Sequence, residues 1–310
     1  MEHAEPIRRT LEIEELTNRY FVHPIAGWLV PLFAALRISP NAVSMAGMAL
    51  GISAGVAYAR YQDPRYVILG FILMIAWHVM DGADGQLARL TKSQSQLGKV
   101  LDGICDYVTF IAVYAGLASN LSVQYGDWVW LLILSAGLCH AVQSAAYEAQ
   151  RQEYNFWGLG RKSAGLFEAA VSARGASRAS FVQRLSDGIH RVYLEVQLLV
   201  SGVTVEFHDR LAKTLDLPPE RAASVRRRYR ETFAPLVRQW SVMSANYRTL
   251  GIFAFALAGL PLYYFWFEII GFSAMSVLLL RKRRVRYEQF FSGLEPVDGR
   301  SVSLSMRPAE

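Results

Sequence analysis

Four aspartates, Asp81, Asp84, Asp102 and Asp106, sit between two apolar runs, Val67 to Met80 and Tyr107 to Leu117. The stretch reads D-G-A-D-G-Q-L-A-R, eight further residues, then G-K-V-L-D-G-I-C-D. Carboxylates in such surroundings are costly to bury unless something positive neutralises them. In a helix, Asp81 and Asp84 are i,i+3 and Asp102 and Asp106 are i,i+4, so each pair shares a face. Two helices joined by a polar turn can aim all four at one point. Oxygen ligands suit a hard cation, Mg²⁺ or Mn²⁺. Two such ions would neutralise a pyrophosphate and orient a displacement at phosphorus. Gly85 lets a phosphate or base approach the backbone, Ala88 keeps the same face low, and Arg89 can donate a planar fork to phosphate oxygens. One carboxylate has to stay free to take a proton from an attacking hydroxyl. The bland alternative is a salt-bridge network with Arg89 and Lys92, which would compensate four carboxylates poorly.

The spacing D-x2-D-G-x2-A-R-x8-G-x3-D-x3-D resembles that of the CDP-alcohol phosphotransferases, integral membrane phospholipid synthases. It is filled without departure by Asp81, Asp84, Gly85, Ala88, Arg89, Gly98, Asp102 and Asp106. With its flanking helices the resemblance extends over roughly residues 20–150, while 151 to about 240 resembles nothing we can name. It implies that Asp81, Asp84, Asp102 and Asp106 hold Mg²⁺ or Mn²⁺, two ions, and that Asp106 is also the base. It implies donor contacts from Gly85, Ala88, Arg89, Ser95 in the polar link, and Pro40 and Asn41 in the turn before the first span. The implied reaction moves a substituted phosphate from a CDP-linked donor to an alcohol and releases CMP. One design in the family joins CDP-diacylglycerol to a polar alcohol. The other joins CDP-choline or CDP-ethanolamine to a lipid alcohol. The segment T-N-R-Y-F-V-H-P-I-A-G-W-L-V is similar to the inositol-phosphate branch, which needs further cations for the acceptor phosphate. Arg151, Arg161, Lys162 and Arg248 are the candidates. Similar proteins are homodimers, and Gly47, Gly51 and Gly55 form a small-residue stripe that permits close helix contact between or within subunits.

The elements that must position these residues are helices in a membrane. The 310-residue chain is 53% apolar, with a mean hydropathy of +0.20, and its apolar residues come in blocks. Several blocks approach the ~20 residues that span a bilayer. The expected fold is an all-α, polytopic helix bundle with an N-terminal amphipathic helix along the membrane surface. The start M-E-H-A-E-P-I-R-R is charged and does not read as a signal peptide. Tyr20 to Leu36, broken by Pro24 and Pro31, reads as interfacial rather than spanning. Spans are expected at about 42–59, 66–88, 98–118 and 128–147, and two more between Trp240 and Leu280 around the Gly259-Leu260-Pro261 break. That makes six; five with one long kinked helix is the alternative.

The domain reading follows: 1–38 N-terminal and interfacial, 39–150 catalytic membrane core, 151–240 basic helical insertion, 241–280 the last two spans, and 281–310 a tail. Net charge is +6, concentrated in the insertion and in Arg281-Lys282-Arg283-Arg284-Val285-Arg286. By the positive-inside rule both segments, and the aspartates with them, face the cytoplasm beside anionic lipid. No nucleic-acid-binding motif accompanies the charge. Cys105 and Cys139 read as buried thiols in apolar helices, and His78 and His140 as hydrogen-bonded helix residues. Glu268 is ionisable in the last span and is given no role. An ion transporter would spread polar residues across depth in several helices, whereas these acids sit near one membrane face. A catalytically silent scaffold has no need of an intact motif.

Overall fold

A computed structural model of the chain describes residues 10–161, 181–202, 204–215 and 218–294. Among the described residues there are helices and no strands. The elements are α1 (His23–Ala35), α2 (Pro40–Tyr58), α3 (Pro64–Leu90), α4 (Gln96–Tyr125), α5 (Trp128–Glu153), α6 (Phe181–Ser201), α7 (Val205–Leu215), α8 (Pro219–Trp240), α9 (Ala245–Leu257), α10 (Pro261–Trp266) and α11 (Phe272–Ser292). Wider π-helical turns lead into α1 (Asn18–Val22), extend α5 (Tyr154–Gly158) and join α10 to α11 (Phe267–Gly271).

Three of these helices begin where sequence chemistry says they should. Pro40 and Pro64 occupy first turns, where a missing N–H costs nothing. Ser39 Oγ accepts from Ala42 N at 3.2 Å, Asp63 Oδ1 from Arg65 N at 2.9 Å, and Ser95 Oγ from Gly98 N at 2.9 Å. Helix α3 ends with Lys92 in the left-handed region (φ 54°), and Ser93 N reaches back to Ala88 O at 3.0 Å. That closure usually uses Gly. Here it turns the chain sharply after Arg89, so that α4 starts beside the end of α3.

Among the described residues, five helices are long and apolar enough to cross a membrane: Pro40–Tyr58, Pro64–Leu90, Val100–Tyr125, Trp128–Gly158 and Pro261–Ser292. The protein is an integral membrane protein of the expected all-α kind. The expected count of six is not reached by this measure. Helix α9 has 13 residues and is cut off from α8 by the 3₁₀ turn Ser241–Met243. At ~1.5 Å per residue it is roughly 20 Å long. The Gly259 turn (φ 73°) closes it and α10 leads back.

The glycine stripe of α2 is consumed inside the subunit. A Cβ on Gly47 would lie 3.1 Å from Met80 Cβ, one on Gly51 would collide with Thr109, and one on Gly55 with the backbone of Ala112. A Cβ on Gly116 would in turn strike the backbone of Gly55. The stripe therefore lets α2 sit against both α3 and α4, the two helices that carry the aspartates. Tyr58, Met74, Trp77, Val113, Leu117 and Leu121 fill the core around this crossing.

The described helices of the insertion pack on the bundle. Helices α7 and α8, the end of α5 and the second half of α11 share a core that includes Tyr154, Trp157, Phe207, Leu211, Tyr229, Phe233, Trp240, Tyr287 and Phe290. Residues 281–292, expected to begin a tail, thus continue α11 with one face buried. Helix α5 likewise runs through residue 150 without a break. Arg283, in the basic run, is buried and donates to Gln150 Oε1, Ser201 O and Tyr287 Oη. The exposed members of that run are Arg281, Lys282, Arg284 and Arg286.

Candidate active site

The end of α3 and the start of α4 bring three of the four aspartates together. Asp81, Asp102 and Asp106 each offer a carboxylate oxygen, and these atoms all lie within 4.8 Å of one another. All three are half-buried. Such a cluster could hold a metal ion: the donors are hard oxygens converging on one point. Asp84 differs, being buried and accepting from Ser44 Oγ at 2.5 Å. Ser44, Gly47, Trp77 and Cys105 line the same small cavity as the four aspartates. Ser44 was not anticipated from sequence. It stands three residues from both Asn41 and Gly47 on α2, and only that helical spacing could have pointed to it.

The other expected donor-site residues lie near the end of α3 and at the starts of α2 and α4. Gly85 is open on its own face: a Cβ there would meet only Arg89 Nη1, at 3.5 Å, and Arg89 Nη2, at 3.9 Å. Ala88 and Arg89 are half-buried on the same helix. Asn41 and Ser95 meet at the start of α4, where a Cβ on Gly98 would lie 3.1 Å from Ser95 Oγ and 3.5 Å from Asn41 Oδ1. Pro40 is half-buried, and Asn41 and Ser95 are exposed.

The four acceptor candidates part company. Arg151 and Arg161 line one cavity of about 50 Å³ with Glu14, Glu15, Asn18, Tyr147 and Asn155. Arg151 also pairs with Glu148 at 2.6 Å. The N-terminal segment forming the cavity's other wall is tied to the end of α3, because Gln86 Nε2 donates to His23 O at 3.3 Å and Gly82 abuts Val22, His23 and Ala26. His23 in turn pairs with Glu14. Lys162 lies outside the described residues. Arg248 is elsewhere: it is fully buried and bonded to Glu268 at 2.9 Å, Gln143 at 2.7 Å, Ser144 at 3.1 Å and Met243 O. The π-helical turn Phe267–Gly271 aims Glu268 inward, where it also accepts from Tyr264 and Tyr114. His78 and His140 are the hydrogen-bonded residues expected, on Thr249 at 2.9 Å and Tyr114 at 3.1 Å.

Comparison with known proteins shows what this stretch of the chain is similar to. Residues 37–174 match the model of the CDP-alcohol phosphatidyltransferase family, a span containing the aspartates, Arg89, Ser95 and the Pro40–Asn41 turn. Over that stretch the chain is similar to a CDP-alcohol phosphatidyltransferase domain. Among relatives, a CDP-diacylglycerol–serine O-phosphatidyltransferase of Mycobacterium bovis is 26% identical over 123 residues, 38% of this chain and 40% of the relative. One of the same name from Encephalitozoon cuniculi is 29% identical over 181 residues, 54% of this chain and 44% of the relative. Cholinephosphotransferase 1 of Gallus gallus is 31% identical over 120 residues, 36% of this chain and 35% of the relative. The matches thus span less than half the length of each of these relatives. The matched residues take in α2 to α5, while α1 and α6 to α11 fall outside them.

Proposed function

We propose that the protein transfers a phosphatidyl group from CDP-diacylglycerol to a small polar alcohol, releasing CMP. The observation that carries this reading is the motif filled at every position, with Asp81, Asp102 and Asp106 converging in space. Two Mg²⁺ or Mn²⁺ ions, held by the four aspartates, would neutralise the pyrophosphate charge. Arg89 binds phosphate oxygens, and Gly85 and Ala88 leave room for the nucleotide above α3. Asn41 and Ser95, at the neighbouring helix starts, offer hydrogen bonds to the donor's nucleotide end. Asp106 takes the proton from the acceptor hydroxyl as its oxygen bonds to the lipid-bearing phosphorus. The bond to the CMP oxygen breaks, and CMP leaves with that electron pair.

The acceptor in this reading is an alcohol that carries an anionic group. Arg151 and Arg161 supply the cations and Glu14, Glu15 and Asn18 accept or donate to its polar groups. Inositol phosphate, glycerol phosphate and serine all meet that description. The relatives named as serine transferases favour including serine first. Purified protein supplied with CDP-diacylglycerol and these labelled alcohols should yield a labelled, lipid-extractable product with one of them. Labelled product only from CDP-choline or CDP-ethanolamine and diacylglycerol would instead support the arrangement of the cholinephosphotransferase relatives. No product from either donor would sink the proposal.

In the same reading α9 is a sixth, short crossing, the insertion and residues 281–310 face the cytoplasm, and the aspartates lie near that face. The apolar outer side of α1 supports an interfacial position, with Trp28 86% exposed and Leu32 and Leu36 exposed beside it. A homodimer would have to use faces other than the glycine stripe, because that stripe is occupied within the chain.

A further inference from the structure

Asp84 stands apart from its three companions. It is 5% exposed, and the set of mutually close carboxylates contains Asp81, Asp102 and Asp106 without it. A buried carboxylate needs donors to stay ionised. One of them comes from α2: Ser44, itself 7% exposed, donates its hydroxyl to Asp84 Oδ2 at 2.5 Å. The hydroxyl has a single hydrogen. Its alternative acceptor, Pro40 O, is 3.2 Å away, so the shorter bond to Asp84 takes it.

The pairing is set by how α2 and α3 meet. Gly47 touches Met80 and Trp77. One turn back along α2 is Ser44, and one turn forward along α3 is Asp84. With the helices antiparallel, close packing at Gly47 puts the hydroxyl opposite the carboxylate. A Cβ at residue 47 would lie 3.1 Å from Met80 Cβ and crowd the contact that sets this register.

We propose that Ser44 is a positioning residue: its hydroxyl fixes the Asp84 carboxylate so that Asp84 completes the ion site formed by Asp81, Asp102 and Asp106. The inference rests on the metal-ion reading above and adds to it a residue outside the aspartate motif. A hydrogen bond to one carboxylate oxygen orients the group, and Asp84 lines the same cavity as the other three aspartates. Loss of such an outer partner typically weakens metal affinity about 10–100-fold. A purely structural Ser44 would instead affect folding and leave metal affinity alone.

The test is Mn²⁺ binding to the purified full-length protein without any CDP donor, read from the free-ion electron paramagnetic resonance signal. Metal-free thermal unfolding is followed beside it. Ser44→Ala removes the hydroxyl. Ser44→Cys keeps the volume but offers only a weak donor, so it remains informative if the alanine variant folds poorly. Ser44→Thr keeps the hydroxyl. The expected result is Mn²⁺ affinity lowered about 10-fold or more by Ala and Cys, near-normal affinity with Thr, and metal-free unfolding temperatures close to wild type. Unchanged affinity in the Cys variant overturns the proposal, as does equal loss in Cys and Thr, which would point to packing. Wild-type protein that binds no Mn²⁺ overturns the metal-ion reading itself, and is told apart because it involves no variant.

Discussion

Glu268→Gln isolates one charge in a fully buried network. Glu268 and Arg248 are both 0% exposed and bonded at 2.9 Å. The carboxylate also accepts from Tyr264 Oη at 2.6 Å and Tyr114 Oη at 3.3 Å. The guanidinium has further partners in Gln143, Ser144 and Met243 O, but none of these carries charge. Glutamine keeps the size and one acceptor oxygen, yet leaves the Arg248 cation uncompensated in an apolar interior. Breaking a buried pair in this way costs about 3–5 kcal/mol. Arg248→Met leaves the opposite charge stranded, at a similar cost. Replacing both by Arg248→Met with Glu268→Gln removes both charges, and replacing a whole buried pair is often neutral. The double variant should therefore lose far less than the sum of the singles, with a coupling energy above the usual upper bound of about 3 kcal/mol. Reversible denaturation of the purified protein in mixed micelles, run as a double-mutant cycle, measures this. Additive single effects, or single losses below about 1 kcal/mol, the scale of an exposed pair, would refute the argument that burial makes this pair costly to break.

Four other outcomes are expected. Asp106→Asn should lower turnover about 10²–10⁴-fold, the range for a lost general base, while keeping more donor affinity at saturating Mg²⁺ than Asp81→Asn does. Equal loss of donor binding in the two variants would make Asp106 chiefly a ligand. Chelation should abolish activity and Mg²⁺ or Mn²⁺ restore it, because the clustered donors are hard oxygens; full activity in excess chelator would remove the metal from the mechanism. Gly55→Ala should destabilise the protein by about 1–3 kcal/mol, the usual cost of overpacking, since the new Cβ meets the Ala112 backbone rather than a movable side chain. An unchanged denaturation midpoint would mean that α2 and α4 are not so closely apposed. Cysteine at Ser292, at the end of α11, should resist a membrane-impermeant reagent in intact cells, as should cysteine at Ser177, which lies outside the described residues. Ready labelling at either position would overturn the proposed sidedness.

The sequence alone was enough to read the all-α membrane class of this protein and to mark the residues of its candidate site. Apolar blocks, Pro and Ser at helix starts, and carboxylates at i,i+3 and i,i+4 are local features, and local features are written in neighbouring residues. The starts of α2, α3 and α4 and the face shared by Asp81 and Asp84 were therefore readable. Tertiary structure decided which partners meet across the fold. Gly47, Gly51 and Gly55 looked equally suited to a neighbouring subunit, and only the packing of α2 showed that Met80, Thr109 and Ala112 occupy that stripe. Arg248 passed as an acceptor-binding cation because nothing nearby in sequence pairs with it. Its partner Glu268 is twenty positions on, turned inward by a π-helical turn that apolar periodicity does not announce. The span count was uncertain for a related reason. An apolar run measures how much chain could enter a bilayer, whereas the 3₁₀ turn at Ser241–Met243 decides where the helix breaks. Ser44, an ordinary helix serine in the sequence, bonds to Asp84 across forty residues because the glycine face of α2 meets Met80 and Trp77 of α3 at one register. Pairings of that range depend on backbone distances between helices, and those distances exist only after the chain has folded.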